Sequence, residues 1–158
     1  MVSSNASTPG RATPRPGSFV FPLALLLLAG CDVVGRPATL ELDGIAVQLE
    51  RGARVHDVTV MSAGPTDSIA PATVQAAPGD AIRFVTGDHR THSIGFDLEF
   101  VDPMVREYLE RTSQLRGPPL VNRGSAWIVV LEGAPPGRYP FLCRTHGTRG
   151  ILLVQDPD

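Results

Sequence analysis

The amino-acid sequence predicts an all-β sandwich or barrel with one short inserted helix, and three observations predict it. Short runs of alternating apolar and polar residues recur along the chain with turn residues between them. Asp43-Gly44 separates two such runs, which is a strong two-residue hairpin signal. One segment, Pro103 to Gln114, breaks the pattern with helical spacing.

Each element follows from its own residues. Leu40, Leu42, Ile45, Val47 and Leu49 alternate on either side of Asp43-Gly44 and predict a hairpin. Arg54 to Met61 sets His56, Val58 and Val60 against Val55, Asp57 and Thr59, so one face is largely apolar. Ala72–Ala76 and Asp80–Thr86 are expected to pair, joined at Ala77-Pro78-Gly79. Ile94, Phe96 and Leu98 alternate again. Asp102-Pro103 opens the helix as N-cap and first helical residue, with Val105, Tyr108, Leu109 and Thr112 on one face. Gly117-Pro118-Pro119 stops it, and its expected role is to lid one end of the sandwich. Ser125–Leu131 is a continuous apolar run, as a central strand requires, and Tyr139–Cys143 and Gly150–Val154 complete the sheet. No internal repeat is present.

Composition bounds the function. The chain has 158 residues, 42% of them hydrophobic and 19% charged, enough for one ordinary domain with an appendage. Its formal net charge is -2, and its 14 basic residues, all Arg, form no cluster of the kind that binds nucleic acid.

The N-terminus reads as an address. Residues 1–18 are polar and weakly basic, and an apolar stretch from Phe19 to Gly30 follows. That stretch is too short for a membrane span, which needs about 20 residues, and suits a signal-peptide core. It runs into Leu28-Ala29-Gly30-Cys31, which resembles the lipobox of bacterial lipoproteins. The resemblance implies that residues 1–30 are a lipoprotein signal peptide and that Cys31 carries the lipid. Residues 31–38 then form a tether and residues 39–158 the folded domain, held at the periplasmic or extracytoplasmic face of a membrane.

Three residues carry the chemistry. Cys143 and His146 are separated by two residues, so a tight turn can aim a sulfur and a ring nitrogen at one ion. His92 lies fifty-one residues before Cys143, and in a Greek-key sandwich such distant strands lie side by side. Two imidazoles and one thiolate form the donor set of a type 1 copper site. His89 makes a His-x-x-His with His92, but it falls on the Gly87-Asp88-His89-Arg90 turn and is read as exposed. His56 sits in a strand with no convergent partner and is assigned no role.

The flanking residues resemble a family. Pro136–His146 is similar to the closing strand and copper loop of plastocyanin and pseudoazurin. Pro78-Gly79-Asp80-Ala81-Ile82-Arg83-Phe84 resembles the strand before that family's first ligand, and Thr91–Asp97 resembles the first-ligand motif. The resemblance implies a cupredoxin-like Greek-key β-sandwich with one copper, bound by His92, Cys143 and His146. No motif in the sequence suggests a second metal cluster or a nucleophile–base pair, so no enzyme activity is expected. Two positions depart from the family. Ser93 stands where it usually has Asn bracing the copper loop, and Ile151 stands at the axial Met position. An apolar axial residue implies a high reduction potential, with the carbonyl of Thr91 as partial compensation. The implied function is electron transfer to a redox protein, with His146 as electron port and Arg90, Arg144 and Arg149 as a basic rim. Envelope copper storage or delivery, and a metal-free interaction domain, are the alternatives.

Overall fold

The structure is a computed structural model and describes residues 38–42, 44–63 and 66–156. The signal segment, Cys31 and most of the tether lie outside the described residues.

The predicted hairpin forms. β1 (Ala38–Leu42) and β2 (Ile45–Leu49) pair antiparallel, with Leu42 opposite Ile45, as a separate two-stranded ribbon. Gly44 takes φ +78°, a left-handed conformation that glycine adopts without a steric cost. The remaining strands make two four-stranded sheets, the layers of a sandwich. One sheet runs β4 (Thr66–Ala70), β3 (Val55–Ala63), β6 (Ala81–Thr86), β8 (Ala126–Val130). The other runs β5 (Thr73–Ala76), β10 (Arg149–Val154), β9 (Gly137–Cys143), β7 (Ile94–Phe96). Strand pairs are antiparallel except β3 with β6 and β5 with β10, as crossovers between layers require.

The core lies between the sheets. Val58, Val60, Ile82, Phe84 and Val129 face Tyr139, Phe141, Leu152 and Val154, all buried. Phe84 meets Phe141 edge-on, with ring centroids 5.0 Å apart, and stacks on Trp127 at 5.4 Å.

Two expectations fail here. The segments read as a pair around Ala77-Pro78-Gly79 do not pair: β5 belongs to one sheet and β6 to the other. Alternation identifies strands but not partners, and this turn is a corner between layers. Asp80 locks it. Its carboxylate accepts from the amides of Arg54 (2.8 Å) and Ala77 (3.0 Å) and from His56 Nε2 (2.8 Å). His56 therefore has a partner after all. In the second failure, the strand expected through Leu98 ends at Phe96, and Leu98–Phe100 is a 3-10 turn.

The helix α1 (Pro103–Arg111) buries Val105, Tyr108 and Leu109, the predicted face. Tyr108 Oη donates to the carbonyl of Val130 at 2.7 Å, and Val105 packs against Gly137, the first residue of β9. It therefore lids the end of the sandwich opposite Cys143, which closes the same strand.

Burial alone would raise the Asp80 carboxyl, but the two amides and His56 bring it below the usual carboxylate value. A carboxyl depressed by folding stabilises above its unfolded value and loses that contribution as pH falls through the folded one. We expect Asp80→Asn to cost about 1–3 kcal/mol near neutral pH. In urea unfolding the gap from wild type is full above about pH 4 and narrows below it.

Candidate metal centre

The three predicted donors meet at one end of the sandwich. Cys143 ends β9 in inward phase with Tyr139 and Phe141, so its side chain is buried. Beyond it the chain turns back tightly. The Gly147 and His146 amides donate to the Cys143 carbonyl at 2.7 and 3.2 Å, and the Cys143 amide donates to the Thr148 carbonyl at 2.8 Å. Gly147 has φ +77°, which a side chain would strain.

His92 is fixed by a backbone bridge to Leu120, with amide-to-carbonyl bonds of 2.9 and 2.8 Å. Register then brings it to the loop, because Ile94 lies opposite Cys143. The Arg144 amide donates to the Ser93 carbonyl at 2.7 Å. Ser93 thus braces the loop through its backbone. Thr91 is exposed.

Cys143 Sγ lies 3.7 Å from His92 Nδ1 and 3.5 Å from His146 Nδ1. A fourth donor completes the group. Asp67, on β4, places Oδ2 3.3 Å from His92 Nδ1 and in closer contact with His146 Nδ1. All four donor atoms lie within 4.8 Å of one another. The Asp67 side chain is 1% exposed, and among the described residues its Oδ2 is a buried oxygen that accepts no well-formed hydrogen bond. The His146 contact is within ion-pair distance but off the hydrogen-bond direction, which reconciles the two observations.

Asp67 was missed because the sequence reading assigned no strand between Met61 and Ala72. The signal was there. Asp67 and Ile69 share a phase in a short run closed by Pro71, and Ile69 is buried. An acidic residue in the inward phase of a strand needs a partner.

Proton positions at His92 follow from its outer nitrogen. His92 Nε2 lies 2.9 Å from Asp88 Oδ1, and a carboxylate only accepts, so Nε2 holds the proton. In the neutral ring Nδ1 is then a bare lone pair aimed at Sγ and Oδ2. Asp88 is oriented by the Ser62 amide at 2.6 Å and the Arg90 amide at 2.9 Å. The Ser62 amide, with His92 and Arg90 contributing, holds Asp88 far below the usual carboxylate value. At His146 the outer nitrogen faces Arg90 Nη2 at 3.2 Å. A guanidinium only donates, so this ring keeps its proton on Nδ1, and a cation held there replaces it.

The geometry fits a metal ion. With metal–nitrogen and metal–oxygen distances near 2 Å and metal–sulfur near 2.3 Å, a tetrahedral ion separates nitrogen from sulfur by about 3.5 Å and nitrogen from oxygen by about 3.3 Å. The sulfur–nitrogen separations of 3.7 and 3.5 Å and the 3.3 Å from Asp67 Oδ2 to His92 Nδ1 agree with this, Oδ2 lies closer than that to His146 Nδ1, and thiolate with imidazole suits copper.

Ile151 is not the axial residue. It lies inside β10 opposite Pro140, on the face shared with Arg149 and away from the core. The preceding Gly150 faces inward, where a Cβ would stand 2.4 Å from Phe141 Cζ. Counting five residues past His146 therefore lands in the wrong strand phase. Met104 is 69% exposed on the helix at the far end, and Met61 Cε lies against Gly87. His89 is exposed, as expected. The basic rim is partly neutralised. Arg149 pairs with Asp97, and Arg90 lies 3.6 Å from Asp67 and donates to Ser62 Oγ at 2.6 Å.

Known proteins agree with this architecture. No family model and no curated protein sequence matches the chain. Among solved structures it is similar to the oxidized plastocyanin of the fern Dryopteris crassirhizoma, with 22% identity and a TM-score of 0.52. That likeness covers 63% of this chain and 99% of the plastocyanin. The chain has the cupredoxin fold. A pseudoazurin from Sinorhizobium is also similar, at 22% identity over 66% of this chain and 76% of its own, with a TM-score of 0.46. A purple cupredoxin from Nitrosopumilus maritimus is 16% identical over 63% of this chain and 99% of its own, also with a TM-score of 0.46.

In this cupredoxin fold, Asp88 orients His92 and fixes the proton on its outer nitrogen. Removing such a carboxylate typically costs 10–100-fold in metal affinity. Asp88→Ala should weaken binding of added copper by about that factor in a chelator competition. His89→Ala, one residue on, should leave it unchanged.

Proposed function

We propose that the chain is a copper-binding electron carrier, attached to the cell envelope through a lipid on Cys31. The observation that carries the copper reading is the convergence of buried His92 and Cys143 with partly buried His146 at the end of a cupredoxin sandwich. Copper held there supplies a one-electron change between Cu(II) and Cu(I).

The protein's own contribution is rigidity and access. His92 and Cys143 are each 0% exposed, and backbone bonds from Leu120, Ser93 and Thr148 hold their segments. Ligands held this firmly move little when the charge on the ion changes, which keeps reorganisation small. His146 is the donor nearest solvent, its side chain 18% exposed, and is the port through which a partner protein exchanges an electron. Exposed Arg144 beside it favours an acidic partner surface. The reading is of a carrier rather than an enzyme.

The envelope attachment rests on Leu28-Ala29-Gly30-Cys31 and on the short apolar run before it. No helix among the described residues is long and apolar enough to cross a membrane.

The test is the visible spectrum with one equivalent of Cu(II). Wild type should show an intense thiolate-to-copper band, and Cys143→Ser should lose it, because that transition needs the sulfur. A band that survives in Cys143→Ser would overturn the assignment, as would a wild type that takes up no copper.

A further inference from the structure

The fourth member of the cluster has a consequence for the ion itself. Asp67 is seventy-six residues from Cys143, the nearer of the two metal-loop donors, and twenty-five from His92, so only the fold brings it in. It arrives on β4, where it faces Ser62 across the ladder. The Thr148 hydroxyl, in the loop after His146, donates to the Asp67 carbonyl at 3.3 Å. The strand and the loop are thereby tied at the residue whose side chain enters the cluster.

The environment of Oδ2 argues against a purely structural role. A carboxylate with 1% exposure that served as an ordinary buried anchor would accept hydrogen bonds on both oxygens. Asp80 shows that arrangement, with partners on each oxygen. At Asp67 only Oδ1 has a cation at hand, Arg90 Nη1 at 3.6 Å. Oδ2 points instead at the two imidazole nitrogens, at 3.3 Å from that of His92. The unprotonated Nδ1 of His92 has no proton to offer it, and the proton on His146 Nδ1 lies off the hydrogen-bond direction. Two acceptors this close in a dry site are compatible when a cation lies between them.

We infer that Asp67 is the fourth ligand of the bound copper, in place of the thioether that this sequence lacks. The inference rests on the proposed copper reading and refines it. Its effect is electrostatic. Thiolate and carboxylate together cancel the two charges of Cu(II), so the oxidised centre is neutral and the reduced one carries a negative charge in a buried site. Asp67 therefore favours Cu(II). This reverses the high potential implied by an apolar axial position, with Arg90 offsetting part of the negative charge.

The experiment compares purified wild type with Asp67→Asn and Asp67→Glu, each loaded with Cu(II). Optical and electron paramagnetic resonance spectra report the ligand set, and redox titration reports the equilibrium. Asp67→Asn keeps the size and loses the charge. It should shift the thiolate-to-copper band and the copper hyperfine splitting, and move the redox equilibrium at least tenfold toward Cu(I), about 59 mV upward. Asp67→Glu retains a carboxylate and should stay nearer wild type in both spectra, which keeps the test open if the Asn variant does not fold. Spectra of Asp67→Asn that match wild type would overturn the inference, even if the potential moved, because a neighbouring charge shifts a potential without changing the ligand set. A wild type without any thiolate band would instead overturn the copper reading beneath it.

Discussion

Four atoms able to bind a metal, from three separate parts of the chain, are held together where water scarcely reaches. The Nδ1 of His92, the Sγ of Cys143, the Nδ1 of His146 and the Oδ2 of Asp67 lie within 4.8 Å of one another, with His92 and Cys143 fully buried. Left to themselves such groups repel or demand protons, and burying them unpaired is costly. A sandwich that holds them in this arrangement must be rigid on every side of the cluster, and much of the surrounding structure provides that rigidity.

The bracing comes from different directions for each donor. Leu120 and Asp88 hold His92 from behind, one through the backbone and one through the ring. The loop between Cys143 and Thr148 is closed on itself and pinned to Ser93. Asp67 is carried by the β3–β4 hairpin and tied to the same loop through Thr148. The helix takes no part in this, since it packs where β9 begins. One end of the sandwich is thus specialised for packing and the other for chemistry. The two are joined by the buried side of β9, from Tyr139 through Phe141 to Cys143.

Much of this was legible in the residues, and what was not has physical causes. The Asp43-Gly44 hairpin, the amphipathic helix and the three motif donors are local signals, each written in a short stretch of its own sequence. The partnering of β5 and β6 is not local. The corner at Asp80 is made by hydrogen bonds to Arg54 and Ala77, and alternation says nothing about them. Ile151 was misplaced for a related reason. Counting along the chain from His146 ignores where β10 begins, and a shift of one residue moves a side chain to the other face of a sheet. Asp67 was invisible to motif reasoning because it belongs to none of the three motifs. Its inward phase with Ile69 was the clue, and it has meaning only once β4 is recognised as a strand.

Anomalous diffraction at the copper edge, from crystals grown with one equivalent of Cu(II), tests the central claim most directly. The account predicts a single copper peak bonded to His92 Nδ1, Cys143 Sγ, His146 Nδ1 and Asp67 Oδ2, with Ile151 turned away on the outer face of its sheet. A copper peak bonded to the two histidines and the cysteine, with the Asp67 carboxylate turned aside, or no peak at this end of the sandwich, would contradict it.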